Sequence, residues 1–337
     1  MLKIENSVEE LSGLDPAALP DAVLSSTRPL LLRGLVAGWP LVQAGLQSAD
    51  AAMNYLKRFY QDATVGVLVV GPEIQGRIFY NEDLTGFNFQ RRMTKLDVVL
   101  ETLTKAQADE NAPTVYLGST TIDTCLPGFR GENDLDLAAV APLASIWLGN
   151  RTRIAAHYDV PDNLACVAVG RRRFTLFPPD QLANLYVGPL DFTPAGQAIS
   201  MVDFARPDFE KYPRFEVALQ HAQLADMNPG DAIFIPSMWW HHVEGLDAFN
   251  VLINHWWRRS PGHMGKPDSV LLHALLSLRD LPAEQREAWR GIFNHYVFEP
   301  GEDTVRHIPE RSRGVLAPLG DAAARGLRAL LLNRLNR

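Results

Sequence analysis

The sequence predicts a mainly β protein with helices at both ends, and three observations predict it. Between about residues 113 and 257, apolar and β-branched runs recur at short intervals, each broken by Pro, Gly or Asn. Strands at that density indicate a β-sandwich or jelly roll. Before this stretch helical and strand-like segments mix, and after Pro261 the strand signals stop and helical periodicity takes over.

The elements read as follows. Ser7-Val8-Glu9-Glu10 has the form of a capping box opening a short helix, and Asp15-Pro16 that of an N-cap followed by a proline at the first helical position. Pro29 to Leu35 is a short apolar run, expected as a buried strand. Ser48 to Tyr60 and Thr94 to Ala106 carry apolar residues at helical spacing behind an N-cap residue. Thr64 to Val70 and Gly76 to Tyr80 between them are strand-like. In the central region the expected strands are Thr114–Leu117, Ser145–Leu148, Leu164–Val169, Arg173–Phe177, Ala232–Ile235 and Phe249–Trp257. Gly170 and its flanks predict a turn between antiparallel strands, and Asn228-Pro229-Gly230-Asp231 predicts another just before a strand. Asp268 to Leu278, Ala283 to Tyr296 and Gly320 to Leu335 are helical by period. The resulting division is 1–112, helices and strands packed on the core; 113–260, the β core; and 261–337, a helical region.

Composition narrows the class. The chain has 337 residues, 47% hydrophobic and 21% charged, as ordinary globular proteins do. A net charge of −7 argues against global attraction to nucleic acid or to an anionic membrane. Two cysteines, Cys125 and Cys166, are too few for a disulfide framework or a Cys-rich zinc site and fit a reducing compartment. The first residues lack the apolar stretch of a signal peptide, and no run approaches the roughly 20 apolar residues of a membrane span. The expected location is cytoplasmic.

The chemistry lies in His157-Tyr158-Asp159 and in Trp239-Trp240-His241-His242. Residues i and i+2 of a strand share a face, so His157 and Asp159 can address one ion. A His pair just past an apolar strand, Asp231 to Pro236, can supply a third ligand from His241 or His242. Two imidazoles and one carboxylate form the facial set of non-haem Fe(II) oxygenases, which leaves coordination positions open. No Ser/His/Asp or Cys/His arrangement offers a nucleophile.

These segments, with Asn163, Gly170 to Asp180 (GRRRFTLFPPD) and Pro236 to His242 (PSMWWHH), resemble the cupin-like, JmjC-related 2-oxoglutarate oxygenases. The likeness is closest to their asparaginyl hydroxylase branch, which inhibits hypoxia-inducible factor. It is densest over 145–257 and weaker earlier, where Arg28 to Leu35 and Trp39-Pro40 match the opening strand.

The resemblance implies a double-stranded β-helix core, with Fe(II) held by His157, Asp159 and His242, and His241 left to packing. It implies 2-oxoglutarate as co-substrate with O2, and hydroxylation of a C–H bond, on a protein or peptide side chain, with succinate and CO2 as co-products. Arg172 stands where the hydroxylase has a lysine for the distal carboxylate, and a guanidinium can grip that carboxylate bidentately. Ile154 replaces a hydroxyl residue that assists the same carboxylate; Tyr116, with Thr152 as a fallback, is expected to compensate. Asn163 and Asn254 match amides lining the metal pocket. Trp147, Trp239 and Trp240 are expected to pack the barrel, and Arg171 and Arg173 to pair at the surface. By the same likeness, Leu271 to Leu278 and Trp289 to Tyr296 form apolar helical faces for a homodimer. Other outcomes of the same residues are N-demethylation, hydroxylation of a small molecule, a cupin metalloenzyme that uses no 2-oxoglutarate, and a non-catalytic binding module.

Overall fold

The computed structural model describes every residue except Met1, Glu110 and Arg337. Its strands are β1 (Asn6–Ser7), β2 (Glu9–Ser12), β3 (Leu30–Arg33), β4 (Thr64–Val70), β5 (Arg77–Ile78), β6 (Gln90–Lys95), β7 (Thr114–Thr121), β8 (Leu143–Gly149), β9 (Thr152–Tyr158), β10 (Asp162–Val169), β11 (Arg172–Phe177), β12 (Gln223–Met227), β13 (Ala232–Ile235), β14 (Trp240–Gly245) and β15 (Asn250–Trp257). They form a nine-stranded sheet in the order β2-β3-β13-β10-β15-β8-β7-β4-β6 and a six-stranded sheet in the order β1-β12-β11-β14-β9-β5. The β-rich jelly roll with flanking helices is thus the fold the sequence predicts. The chain falls into two compact units, Met1–Arg259 and Ser260–Arg337. Strands that precede residue 113 are woven into the same sheets as those that follow it.

Side-chain alternation along the strands creates three layers of apolar packing. Between the sheets, Phe174, Leu176, Ala225 and Val243 of the smaller one meet Ala165, Val167, Ile233 and Leu252 of the larger. The other face of the larger sheet, with Leu164, Cys166, Ile253 and Phe234, is covered by Leu41, Leu56, Leu96 and Leu100 from the helices Pro40–Gln47, Ala49–Lys57 and Leu96–Ala106. The outer face of the smaller sheet, with Ala156, Phe177 and Trp240, packs on Leu185, Phe204 and Phe215. Most central strands are therefore buried on both faces, which explains their continuous apolar character.

Two predicted turns carry backbone only glycine adopts without strain. Gly170 joins β10 to β11 at φ +70°, where a Cβ would lie 2.5 Å from Phe249 O and Asn250 Oδ1. Gly230 precedes β13 at φ +97°. The helix at Ala49–Lys57 opens on Ser48, whose hydroxyl accepts the Ala51 amide at 3.0 Å.

The first turn departs from expectation. Ser7 and Glu9-Glu10 lie in strands, not a helix: Val8 between them is buried between the sheets and its amide donates to Leu224 O at 3.0 Å, while β2 pairs parallel with β3. Burial of one valine and two ladders outweigh a local capping preference. Asp15-Pro16 forms a turn, with Asp15 Oδ1 accepting from Ala17 N, and the following helix begins at Asp21. β6, β9, β12 and β14 lie outside the strands expected from sequence.

The second unit consists of helices Pro267–Ser277, Ala283–Phe293 and Asp321–Leu335 with shorter turns between them, as the periodicity predicts. Among the described residues no helix is long and apolar enough to cross a membrane.

Candidate metal and co-substrate site

The site is built on the faces of the two sheets that look toward each other. β14 lies between β11 and β9, and His241 pairs directly across the ladder from His157. Their rings stand 4.4 Å apart, and Asp159, just past β9, brings Oδ2 to 3.7 Å from His241 Nε2. Ligand atoms from His157, Asp159 and His241 all lie within 4.8 Å of one another, a grouping that could hold one metal ion.

The tautomers are fixed from behind. His157 Nδ1 lies 2.9 Å from Ala155 O, and His241 Nδ1 lies 3.0 Å from Trp239 O. A carbonyl only accepts, so each Nδ1 carries the proton and each Nε2 keeps its lone pair for a metal. Burial, followed by the neighbouring His157, pushes His241 down to about 4, which keeps that ring neutral at ordinary pH.

His242 does not join this set, contrary to the sequence expectation. Successive residues of β14 alternate between faces. Trp240 packs in the outer cluster, His241 faces inward, His242 turns outward and stacks on Phe204 at 4.6 Å, and Val243 returns to the inner core. Its Nδ1 has no hydrogen-bond partner among the described residues, and burial holds its pKa down at about 3. His242 is a buried residue packed on Phe204, and His241 is the histidine grouped with His157 and Asp159.

A cavity of about 280 Å³ opens beside His157, Asp159 and His241, near the small end of the ~300–1,000 Å³ usual for ligand sites. Its lining includes Arg172, the middle cation of the Arg171-Arg172-Arg173 run and the first residue of β11, buried and with Nε unpartnered. Arg171 instead pairs with Asp247 at 2.7 Å and Arg173 with Asp226 at 2.6 Å, both at the surface. Period-two alternation on β11 selects the middle arginine for the interior. A buried guanidinium without a carboxylate is costly unless a ligand supplies one.

Tyr116 lines the same cavity, and burial pushes its phenol up to about 12, so it remains an uncharged donor. Thr152 is buried opposite Gly245 and outside the cavity lining, so Tyr116 is the hydroxyl near Arg172. Asn254 Nδ2 donates to Asn163 Oδ1 at 2.7 Å, while Asn254 Oδ1 stays unpartnered. Both amides line the cavity. Trp147 also lines it, with a buried, unpartnered Nε1, rather than only packing the barrel; Trp256 does the same. Trp239 and Trp240 are core residues, with Trp239 Nε1 donating to Thr27 O at 3.1 Å.

The long polar loop from Val187 to Ala222 has the length of a segment that frames an entrance, but the sequence does not single out which of its residues reach the cavity. Between β11 and β12 the chain runs from Val187 to Ser200 as a bridged excursion, and its Pro194, Ala195, Gln197 and Ile199 line the cavity. Gln197 Nε2 donates to Asp159 Oδ1 at 3.2 Å. No periodicity marks this segment, and only its length signalled a role.

A family model described as a cupin-like domain matches residues 16–263. The lysine-specific demethylase JMJ31 of Arabidopsis thaliana is 33% identical over 210 residues, covering 60% of this chain and 33% of its own. The human HSPB1-associated protein 1 is 28% identical over 151 residues, 44% of this chain and 29% of its own. A chicken (Gallus gallus) protein, tRNA wybutosine-synthesizing protein 5, is 33% identical over 146 residues, 39% of this chain and 43% of its own. The chain thus spans less than half the length of each.

Proposed function

We propose that this chain, which belongs to the cupin-like domain family, is an Fe(II)- and 2-oxoglutarate-dependent oxygenase that hydroxylates a C–H bond of a protein or peptide side chain. One observation carries the reading: a buried, unpartnered Arg172 faces the same small cavity as a His157, Asp159 and His241 set. A metal-only cupin enzyme or a bare binding module needs no buried cation opposite the metal. A 2-oxo dicarboxylate needs both ends.

The donor set fits the group. His157 Nε2, a single Asp159 oxygen and His241 Nε2 would hold Fe(II). Arg172, with the Tyr116 hydroxyl beside it, would bind the distal carboxylate of 2-oxoglutarate bidentately, and the amides of Asn163 and Asn254 would orient the rest. Bound together, iron and 2-oxoglutarate supply the oxidising chemistry with O2, releasing succinate and CO2. The chain's own contribution is orientation and exclusion of water: Ile154, Phe174, Val243 and Leu252 make the intervening wall apolar.

The protein or peptide substrate rests on the motif likeness to an asparaginyl hydroxylase and on the relatives named a lysine-specific demethylase and an HSPB1-associated protein. Demethylation is the neighbouring outcome of the same chemistry, and formaldehyde release during turnover would register it. The test of the class is anaerobic titration of the apoprotein with Fe(II), with and without 2-oxoglutarate. A visible metal-to-ligand charge-transfer band is expected only with both, lost in His157→Ala, Asp159→Ala and His241→Ala. No band in the wild type would end this reading.

We also infer that the helical unit 260–337 forms a homodimer contact, on the strength of its uncovered apolar faces.

A further inference from the structure

Gln197 is the observation the proposed chemistry leaves unused. It stands on the segment Val187 to Ser200, which is tied down on both sides of the cavity mouth. Gly188 N donates to Ile199 O at 2.9 Å and Ser200 N to Ala156 O at 2.8 Å, which fixes the base of the excursion on β9. At its far end the Tyr80 hydroxyl donates to Phe192 O at 2.6 Å, Phe192 stacks on Phe87 at 4.7 Å, and Arg91 donates to Pro194 O at 3.1 Å. Of the residues this segment turns to the cavity, Pro194, Ala195 and Ile199 have no side-chain donor. Gln197 alone can donate, and it does so to a carboxylate that is only 7% exposed.

A carboxylate offers two equivalent oxygens to a metal. A donor held on Oδ1 withdraws that oxygen and leaves Oδ2, the one 3.7 Å from His241 Nε2, as the ligand atom. A facial set with open positions requires a single atom from each residue, since a chelating Asp159 would occupy a position needed by co-substrate. Resting on the oxygenase reading, we propose that Gln197 is a positioning residue that holds Asp159 to one-oxygen ligation and couples the Val187 to Ser200 segment to the metal. Outer donors of this kind act on metal affinity because they remove the freedom of the ligand before it binds.

The experiment uses full-length apoprotein and the metals alone. Mn(II) affinity is measured by calorimetry and Co(II) coordination by the visible d–d spectrum, for wild type, Gln197→Leu, Gln197→Asn and Asp159→Asn. Leucine keeps the bulk without the donor and asparagine keeps the amide but falls short, so a role in shape would separate them. Both are expected to weaken Mn(II) binding about tenfold and to change the Co(II) spectrum, with apoprotein Tm unaltered. Mn(II) is also expected to slow amide exchange at Gly188 and Ser200 in the wild type but not in Gln197→Leu. Wild-type affinity and spectrum in both Gln197 variants, with binding lost in Asp159→Asn, would overturn the positioning role and leave the metal site standing. Undiminished binding in Asp159→Asn would overturn both.

Discussion

At the scale of single residues, the site turns on two choices between neighbours. His241 and His242 differ by one step along β14, and one step reverses the face. The sequence could not decide between them because β14 is buried on both sides, so neither face is marked by polarity. His242→Ala is expected to leave Mn(II) affinity within about twofold while lowering stability by ~1–3 kcal/mol through lost packing on Phe204. His241→Ala is expected to abolish binding, and calorimetry on the pair reads the difference; the reverse ranking would return the ligand role to His242. Arg172 is the second choice, and its placement followed from alternation once β11 was recognised. Its guanidinium is removed from water with Nε unpartnered, and this burial drags its pKa down. Replacing it with an apolar side chain of similar length removes that penalty, as exchanging buried charged groups for apolar ones of similar volume is often neutral or stabilising. Arg172→Met is therefore expected to raise the apoprotein Tm while eliminating 2-oxoglutarate binding. Arg172→Lys should retain binding at about tenfold lower affinity, because the bidentate fork is lost. A lower Tm for the methionine variant would mean the guanidinium has satisfying partners and no need of a ligand.

At the scale of elements, legibility followed burial pattern. Strands with continuous apolar character, β10, β13 and β15, could be read directly, as could the helices with one apolar face. β9 and β14 were hidden because their inward positions carry His157 and His241 and their outward positions carry aromatics, so neither period-two polarity nor an aliphatic run appears. The residues that make the site are the same ones that blur the strands holding it. The helix expected at Ser7–Glu10 failed for the converse reason, a strong local pattern beneath a stronger tertiary demand. Gly170 shows how a turn controls the site. It sets the register of β11, and two residues on stands Arg172. Gly170→Ala meets both a positive φ and a Cβ contact of 2.5 Å with the Phe249 carbonyl. The strain is expected to cost about 2 kcal/mol or more, visible as a lower urea midpoint. A shift in Arg172 should accompany it, read as weaker 2-oxoglutarate binding. Wild-type values for both would show that the hairpin relaxes independently of the strand it begins.

At the scale of the whole molecule, the two units solve burial differently. The unit ending at Arg259 encloses its apolar side chains between and around two sheets. In the unit from Ser260 onward only Thr304 and Ala324 are buried among the described residues. Leu276 is 79% exposed, Phe298 70% and Leu332 61%. An apolar hollow of about 910 Å³, lined by Val270, Leu275, Trp289, Phe293 and Leu327, lies among these helices. Three helices with so few buried side chains gain little apolar burial to set against the conformational entropy of ordering them. Uncovered apolar surface on that scale is characteristic of an interface rather than of a solvated face. The dimer proposed above would cover that surface with a second copy, and a symmetric contact would bring the same patches together. Sedimentation equilibrium at micromolar concentration is expected to give a dimer for the wild type and a monomer for Leu276→Glu combined with Phe298→Glu. Fe(II) binding at the proposed His157, Asp159 and His241 set should persist in that variant, since all three residues belong to the first unit. A wild-type monomer would assign the apolar faces to some other cover and remove the dimer from the account.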